Sequence, residues 1–385
     1  MDFELPESHK MLRDTVREFA EKEIKPIAQE LDEKEEFSVE LTKKMGELGL
    51  FGIFVPEEYG GQGMDYLAYV IAVEELARID GSQAATVAAG NSLGLGPIYY
   101  YGSEEQKKKY LPELCTGNKL FAFGLTEPNA GSDAGGTQTT AKEDGDEWVI
   151  NGSKIFITNA STPITWGCVV QTVTGKRPDG KKEYTTFIVE NGTPGYTAKP
   201  MHGKMMWRSS NTSELYFDNC RVKKDAMLGK RGEGFHQMLE TLDGGRLAIA
   251  AMGLGCAQGA LELALSYAKE RKQFGRPISS FQAIAFRLAD VATEIEHARA
   301  FLYKACWLKD TGKPFAKQAA MAKLYCSEVA HRAVNAGVQT LGGYGLMKEY
   351  GMEKYYRDQK LLEIGEGTSE IQRLVIARHL GCSVK

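Results

Sequence analysis

The sequence has few of the features that mark metal-binding or nucleic-acid-binding proteins. Its seven cysteines occur without a CxxC pair or a nearby histidine partner. That spacing argues against a zinc site and, in a chain of this length, favours reduced thiols. Positive charge is not in excess, because the net charge is −4. Electrostatics therefore give no reason to expect a nucleic acid or an anionic membrane surface as a partner.

Long apolar runs and targeting signals are also missing. No apolar run reaches the length that spans a bilayer. The N-terminal segment MDFELPESHKMLRD is acidic and amphipathic, unlike a secretory signal or an Arg-rich transit peptide. No GxGxxG motif follows a strand-like run and no P-loop is present, so nicotinamide and nucleoside triphosphate binding have no support. We expect a cytoplasmic protein with no membrane span, no nucleic-acid partner and no metal site.

What the chain does have is an ordinary globular composition, with 43% hydrophobic and 25% charged residues. The helical period of about 3.6 residues dominates 1–118. From 119 to 230, short β-branched and aromatic runs alternate with turn signals such as PDG and NG. From 231 to 385 the helical period returns in long segments rich in Ala and Gly. We predict an α+β protein with an N-terminal helical domain, a central antiparallel β domain of sandwich or barrel type, and a C-terminal four-helix bundle.

The stretch EIGEGTSEIQRL places a single carboxylate, Glu366, between Gly365 and Gly367. Glycines this close together usually indicate unusual backbone angles or the close approach of another group. The plain alternative is a turn followed by a helix N-terminus, in which Ser369 and Gln372 form a capping box. The stretch alone leaves both interpretations open.

Three segments together resemble the acyl-CoA dehydrogenase family, and the resemblance covers essentially the whole chain. GLTEPNAGSD at 124–133 is similar to the family's first signature, and QFGRPISSFQAIAFRLADVATEIEHAR at 273–299 is similar to a second characteristic segment. QTLGGYGLMKEYGMEKYYRD at 339–358, with EIGEGTSEIQRLVIAR at 363–378, resembles the C-terminal signature. The resemblance implies an FAD-dependent enzyme that removes a proton from Cα of an acyl-CoA and a hydride from Cβ, giving a 2-enoyl-CoA.

In this family a carboxylate beside the substrate's Cα is the base, and the resemblance assigns that role to Glu366. Such a carboxylate needs a pKa raised by burial. The resemblance also implies that the N–H of Glu366 binds the thioester carbonyl as enolate character develops. Isovaleryl-CoA dehydrogenases resemble this chain but place the acid on the preceding long helix, where Gly245 stands here. Glu366 is therefore the only well-matched base.

The resemblance implies three sets of FAD contacts. Positions matched to the flavin ring are Leu125, Thr126, Phe156 and Thr158. Positions matched to the segment that a neighbouring subunit offers to the pyrophosphate and adenosine are Arg271, Phe274 and Gln282. Positions matched to further adenosine and pyrophosphate contacts are Gln339, Gly343 and Thr368.

The resemblance implies a smaller set of substrate contacts, at Ser132, Asp243, Arg246, Gly365 and Gly367. Asp243 and Arg246 match residues around the CoA arm, and a guanidinium suits its oxygen atoms. Each motif also has a structural alternative: QTLGGYG could be a helix C-cap, and ERKQFG a helix end with a solvated arginine. The joint order of the motifs favours the functional interpretation.

The expected acyl group follows from departures from the family pattern. Straight-chain members commonly carry Tyr where Gly365 stands, and Ala89 matches a pocket-wall position that is larger in some relatives. We therefore expect a short, branched or cyclic acyl-CoA, with straight-chain butyryl-CoA as the alternative. No Arg or Lys occurs in 80–96, which disfavours a dicarboxylic acyl group.

The resemblance also implies partners and alternative functions. Electron-transferring flavoprotein is the expected electron acceptor, docking near 64–79, where Leu67 and Ile71 are either exposed for it or part of the core. Shared FAD contacts imply a homotetramer. The same site run in reverse would be an enoyl-CoA reductase. A flavin monooxygenase of this fold would lack the acid at 366, and a non-redox acyl-CoA-binding protein would not need Glu366, Arg271 and Gln282.

Overall fold

The computed structural model describes residues 4–384, and it begins with a helical zone. Asp65 caps α4 by accepting a 2.8 Å hydrogen bond from the N–H of Ala68, and Ser103 forms a capping box with Gln106 at α7. The α-helices of this zone are α1 Glu7–Phe19, α2 Ala28–Lys34, α3 Val39–Glu47, α4 Tyr66–Ala77, α5 Gly81–Ala89, α6 Gly96–Tyr101 and α7 Glu104–Cys115.

A single eight-stranded sheet forms the centre of the described chain. Its strands are β1 Leu120–Gly124, β2 Thr140–Asp144, β3 Glu147–Thr158, β4 Thr165–Lys176, β5 Lys182–Glu190, β6 Tyr196–Pro200, β7 Thr212–Lys223 and β8 Met227–Leu228. The order is β6-β7-β3-β2-β4-β5-β8, and β1 pairs with β4. Most neighbours are antiparallel, as predicted, but β1 runs parallel to β4 and β2 makes one parallel pairing with β4. The antiparallel prediction therefore holds for most of the sheet and is wrong for the pairings of β1 and β2 with β4.

The C-terminal zone is helical, with a small hairpin. Its elements are α8 Gly234–Glu270, β9 Lys272–Gln273, β10 Arg276–Pro277, α9 Gln282–Asp310, α10 Ala316–Leu341, α11 Met352–Leu362 and α12 Ser369–His379. The predicted four-helix count omits α11. Its sequence, MEKYYRDQKLL, is largely polar, yet Met352 and Leu362 at its two ends are buried.

Helix α8 is the central helix of the fold. By length and composition it is apolar enough to cross a membrane, although the sequence analysis found no apolar run of that length. Within the described residues, however, 78% of its most apolar window is buried inside the protein. Small residues let α8 approach its neighbours, as predicted: a Cβ on Gly253 would lie 2.9 Å from the carbonyl oxygen of Cys326 in α10. The buried residues of the N-terminal and C-terminal helices form one continuous core, and much of the sheet has a second.

The two apolar residues considered for partner docking on α4 are not both exposed. Ile71 is 1% exposed and belongs to the core, while Leu67 is half-buried against it. The core interpretation therefore holds for Ile71. A docking surface at 64–79 cannot use its side chain.

Candidate active site

The segment between α11 and α12 has a strained backbone around its carboxylate. Glu366 has φ +51° and Gly367 has φ +95°, both in the left-handed region, which is uncommon for a residue with a side chain. Gly365 has no positive φ. The Nε2 of Gln372 donates to the carbonyl oxygens of Glu366 and Gly367, at 3.2 and 2.9 Å. The unusual angles expected from the flanking glycines are therefore present, and Glu366 itself carries one of them.

The N-cap of the helix that follows lies one residue before the predicted cap. Thr368 is the N-cap of α12, and its hydroxyl accepts a 3.3 Å hydrogen bond from the N–H of Ile371. The predicted Ser369–Gln372 capping box is wrong, because Ser369 is already the first helical residue and Gln372 reaches back to the Glu366 turn. The Thr368 hydroxyl has this local role besides any contact with a ligand.

Helix α8 faces the Glu366 carboxylate with Gly245, and the neighbouring Gly244 faces Tyr66. A Cβ on Gly245 would lie 1.9 Å from Oε2 of Glu366, and a Cβ on Gly244 would lie 2.8 Å from the hydroxyl oxygen of Tyr66. Glu366 is half-buried as a residue, but its Oε2 is buried and has no hydrogen-bond partner in the described chain. The two base positions compared in the sequence, 245 and 366, thus converge on one point in space.

Burial raises the pKa of Glu366 from 4.5 to about 7, and the cations of Lys323 and Arg246 partly oppose that rise. Lys323 is itself fully buried on α10, which lowers its pKa to about 8. Its Nζ donates a 2.7 Å hydrogen bond to the carbonyl oxygen of Gly367. A carboxylic acid tuned to neutral pH can act as a general base under cellular conditions.

The polar groups next to this carboxylate are incompletely paired. Arg246 is buried and forms an ion pair with Asp243, whose pKa is raised by burial, but its Nε has no partner. The N–H of Glu366 has no acceptor in residues 4–384 either. Buried donors are nearly always satisfied in proteins, so unpaired donors beside an unpaired acid indicate a site for a polar ligand.

The residues matched to the flavin ring lie together at the ends of β1 and β3. Phe156 occupies a bulge in β3, where one extra residue stands opposite β7; it has φ +61° and is 63% exposed. The hydroxyls of Thr126 and Thr158 are half-buried and make no hydrogen bond within the described residues. Leu125 is buried, and its carbonyl accepts a 3.0 Å hydrogen bond from Nζ of Lys154.

A buried ion pair supports this edge of the sheet. Lys154 binds Glu127 at 2.8 Å, and Glu127 also accepts hydrogen bonds from the N–H groups of Gln138 and Thr139. The N–H of Ile155, next to Phe156, donates to the Thr126 carbonyl at 2.9 Å. These contacts hold the Leu125–Thr126 turn against the β3 bulge.

Apart from Thr368, the residues matched to the pyrophosphate and adenosine lie elsewhere, at or next to a cavity of about 770 Å³ beside the β9–β10 hairpin. Arg271, Phe274 and Gly343 line it. Phe274 stands at the tip of the two-residue hairpin with φ +53° and is 93% exposed, an unfavourable place for an apolar ring in an isolated chain. Gln282 and Gln339 are exposed next to lining residues but do not line the cavity themselves.

Apart from Gly365 and Gly367, which flank Glu366, the residues matched to the substrate lie in the first half of α8 and in the loop after β1. Ser132 is exposed in that loop. The loop is held near the start of α8, because the Tyr184 hydroxyl donates to the carbonyl of Gly135 at 2.6 Å and the Tyr184 ring packs 5.1 Å from the ring of Phe235. Asp243 and Arg246 follow two to three turns later on the same helix.

The sequence matches three acyl-CoA dehydrogenase domain families in order: the N-terminal domain over residues 6–118, the middle domain over 122–220 and the C-terminal domain over 232–381. The chain belongs to the acyl-CoA dehydrogenase family. It is 56% identical over 380 residues to a probable acyl-CoA dehydrogenase, YngJ, of Bacillus subtilis, covering 99% of this chain and 100% of that protein.

Two solved structures agree with the relationship. Butyryl-CoA dehydrogenase from Megasphaera elsdenii superimposes with a TM-score of 0.95 at 43% identity, covering 99% of this chain and 100% of that one. A chain from the study of the electron transferring flavoprotein of Acidaminococcus fermentans gives 0.95 at 47% identity, covering 99% of both. The protein is therefore an FAD-dependent oxidoreductase acting on CH–CH bonds of acyl-CoA, and the expected family, fold and cofactor are confirmed.

The residues of this acyl-CoA dehydrogenase fit FAD. The exposed ring of Phe156, on a residue with a positive φ, lies near the unpaired hydroxyls of Thr126 and Thr158, and this combination suits a flavin ring. Arg271 makes no ion pair in the described chain and only stacks on Tyr344, so its guanidinium is available to phosphate oxygens. A Cβ on Gly343 would enter open space at the cavity wall.

Several residues of the site were missed from the sequence. Three of them belong to no motif, and each contacts a residue distant in the sequence: Lys323, Lys154 and Tyr66. One signal for Lys323 was present: it falls among Ala319, Ala322 and Cys326 on the apolar face of α10, where a lysine is out of place.

Proposed function

We propose that Glu366 is the base that removes the Cα proton in this dehydrogenase. The single observation that carries the proposal is its buried, unpaired Oε2, which points at a helix surface cleared of side chains by Gly245. Burial also brings the Glu366 pKa to about 7, so the carboxylate can form at neutral pH and still hold a proton firmly.

The chain's own groups account for the rest of the proton transfer. The thioester carbonyl accepts a hydrogen bond from the free N–H of Glu366, which stabilises negative charge on that oxygen as the proton leaves Cα. The substrate contacts of Ser132, Gly365, Gly367, Asp243 and Arg246 stay part of this proposal, with the last two around the CoA arm. FAD, when bound at Leu125, Thr126, Phe156 and Thr158, supplies the acceptor for the Cβ hydride.

The acyl group is proposed to be short, and branched or cyclic near the reacting carbons. Packed rings support shortness: Tyr66, which meets Gly244, lies 5.1 Å from Phe54 and 5.0 Å from Tyr69. An acyl chain extending past Cβ along α8 would meet these rings. A pocket wide enough for a branched or cyclic group is supported by Gly365, which leaves space where straight-chain members commonly carry a tyrosine ring.

Straight-chain butyryl-CoA is a second candidate. The observation in its favour is the 43% identity to butyryl-CoA dehydrogenase from Megasphaera elsdenii over nearly the whole chain.

The FAD contacts are proposed to come from two subunits of a homotetramer. The hairpin cavity of Arg271 and Phe274 is built from C-terminal elements alone, while the candidate flavin residues belong to the sheet. Exposed apolar side chains beside the cavity, such as Phe274 and Leu346, would be covered by another copy. We place Gln282, Gln339, Gly343 and Thr368 in the same cofactor site.

An electron-transferring flavoprotein is the proposed acceptor of the electrons, in keeping with the Acidaminococcus fermentans study that contains a similar chain. A cytoplasmic location agrees with seven unpaired cysteines, of which six are buried.

The acyl class is tested by anaerobic titration of the purified holoenzyme, following the flavin absorbance. Butyryl, isobutyryl, 2-methylbutyryl, glutaryl and cyclohexanecarboxyl thioesters form the panel. We expect the fastest bleaching with a branched or cyclic thioester. Gly365→Tyr should cut the ratio of branched to straight-chain rates by about tenfold or more, because a pocket wall discriminates by sterics.

The matched control for that titration is Gly365→Ala. A Cβ at this position would lie 3.4 to 3.5 Å from Leu361, which is ordinary contact, so Ala should leave the acyl preference near that of the wild type. Bleaching by butyryl-CoA much faster than by every branched or cyclic thioester would contradict the proposed acyl class and favour the second candidate.

The pH dependence of flavin reduction should report the titration of Glu366. The base must be ionised to accept a proton, so the rate should reach half its maximum near pH 7 and fall about tenfold per pH unit below that. Stopped-flow reduction at saturating acyl-CoA between pH 5.5 and 9 measures it. A rate that stays constant down to pH 5.5, as a group with the ordinary glutamate pKa of 4.5 would give, would mean that Glu366 is solvated in the complex and is not tuned by burial.

A further inference from the structure

Lys323 is a buried cation without a carboxylate partner. It is fully buried, and its only hydrogen bond in the described chain is the 2.7 Å contact with the Gly367 carbonyl. An ammonium group has three donors and is costly to bury unpaired. The other buried lysines, Lys154 and Lys354, both form ion pairs with buried carboxylates. A Met of similar length would suit the apolar face of α10 better, so the charge needs a reason other than stability.

We propose that Lys323 is a positioning residue for the reaction: by holding the Gly367 carbonyl, its ammonium group fixes the left-handed turn that presents the N–H and the carboxylate of Glu366 to the substrate. The inference rests on the proposed role of Glu366. Gln372 assists from the other side, since its amide donates to the same carbonyl and to that of Glu366. With both carbonyls held, the peptide that carries the Glu366 N–H is held as well.

The charge of Lys323 adds a second effect on the base. The charged groups that act on it are Glu366, Glu363 and Glu370, which favour the ammonium form, and Arg246, which disfavours it. The same two cations, Lys323 and Arg246, favour the ionised form of Glu366. Removing Lys323 should therefore move the titration of Glu366 to higher pH, away from the neutral range.

The test compares Lys323→Met with Lys323→Arg and with Gln372→Leu in the FAD-loaded enzyme. For Lys323→Met we expect reduction about tenfold to a hundredfold slower at pH 7, through displacement of the base. The rate–pH midpoint should rise by about one unit, because an opposite charge near a carboxylate has been lost. Lys323→Arg should keep the midpoint near that of the wild type. Gln372→Leu removes a neutral donor, so it should slow the reaction without moving the midpoint.

A thermal melt separates this role from a purely structural one. Because a buried, unpaired cation is removed, Lys323→Met should melt at or above the wild-type temperature with full FAD content. A variant that fails to fold or loses stability would show that Lys323 serves the fold, and an unchanged rate and midpoint would equally overturn the proposal. Lys317→Met is the matched control, because Lys317 lies on the same helix and its side chain makes no ion pair or hydrogen bond in the described chain. Flavin reduction at the wild-type rate in Glu366→Gln would contradict the proposed function. An inactive Glu366→Gln, together with a wild-type rate and midpoint in Lys323→Met, would contradict only this inference.

Discussion

Replacing Glu366 by Gln should stop flavin reduction by acyl-CoA while FAD and substrate stay bound. The amide keeps the size and the hydrogen-bonding N–H of residue 366 but cannot accept the Cα proton. Loss of a positioned base typically costs about 10² to 10⁴ in rate, and here no solvated group can replace it, because Oε2 is buried opposite Gly245. Single-turnover reduction under anaerobic conditions measures the rate, and a spectral shift of the flavin on adding acyl-CoA measures binding.

A matched control comes from the same segment. Glu370 is exposed on the first turn of α12, so Glu370→Gln removes one acid at nearly the same place without touching the buried carboxylate. It should reduce its flavin at close to the wild-type rate. If Glu366→Gln also did so, the segment would be only a turn before a helix, and the base would have to be sought elsewhere.

Glu366→Gln should also change stability in a pH-dependent way. The Glu366 pKa is about 7 in the folded protein against an ordinary 4.5, so the folded state holds a proton that the unfolded chain releases. This contribution to stability is fully present below about pH 4.5 and is lost as the pH rises through 7. Gln cannot ionise, so the variant should melt above the wild type at pH 8, and the difference should shrink toward pH 5. A lower melting temperature for the variant at pH 8 would contradict a buried, unpaired carboxylate.

The sequence led to Glu366 because its neighbours are unusual locally and its motif belongs to a family. The local sequence pattern predicted the N-cap of α12 less well. Thr368 and Ser369 both carry hydroxyls, and only the backbone angles distinguish the N-cap from the first helical residue. Helix α11 was not predicted because its sequence is largely polar and few of its buried residues are apolar.

What could not be predicted depends on contacts between distant parts of the chain. The parallel pairing of β1 with β4 joins Leu120 to Thr165, and strand periodicity says nothing about direction. Lys323 reaches a carbonyl 44 residues away, and Gly245 meets a carboxylate on another element. A glycine within a helix suggests close approach, but the sequence alone does not name the atom that approaches.

Gly245→Ala should impair the reaction by moving the base rather than by unfolding the helix. Ala is favoured over Gly in a helix interior by about 1 kcal/mol, so the α8 backbone should gain from the change. The added Cβ would, however, stand 1.9 Å from Oε2 of Glu366 and 2.9 Å from its Cδ, which forces the carboxylate aside by more than about 1 Å. A displacement of that size can cost about a hundredfold in rate. Stopped-flow reduction, with FAD content and melting temperature measured alongside, gives the effect.

The cause of that loss can be isolated with a second substitution. Glu366→Asp shortens the side chain by one methylene, so the penalty of Gly245→Ala should be much smaller in the Glu366→Asp background than in the wild type, a coupling that a double-mutant cycle measures. Gly244→Ala is the neighbouring control: its Cβ meets the Tyr66 hydroxyl at 2.8 Å instead of the carboxylate, so its effect should not depend on residue 366. Equal penalties of Gly245→Ala in both backgrounds would show that the helix, and not the position of the base, had been disturbed. Strong coupling with residue 366 at position 245, and none at 244, would mean that Gly245 is needed to make room for the Glu366 carboxylate.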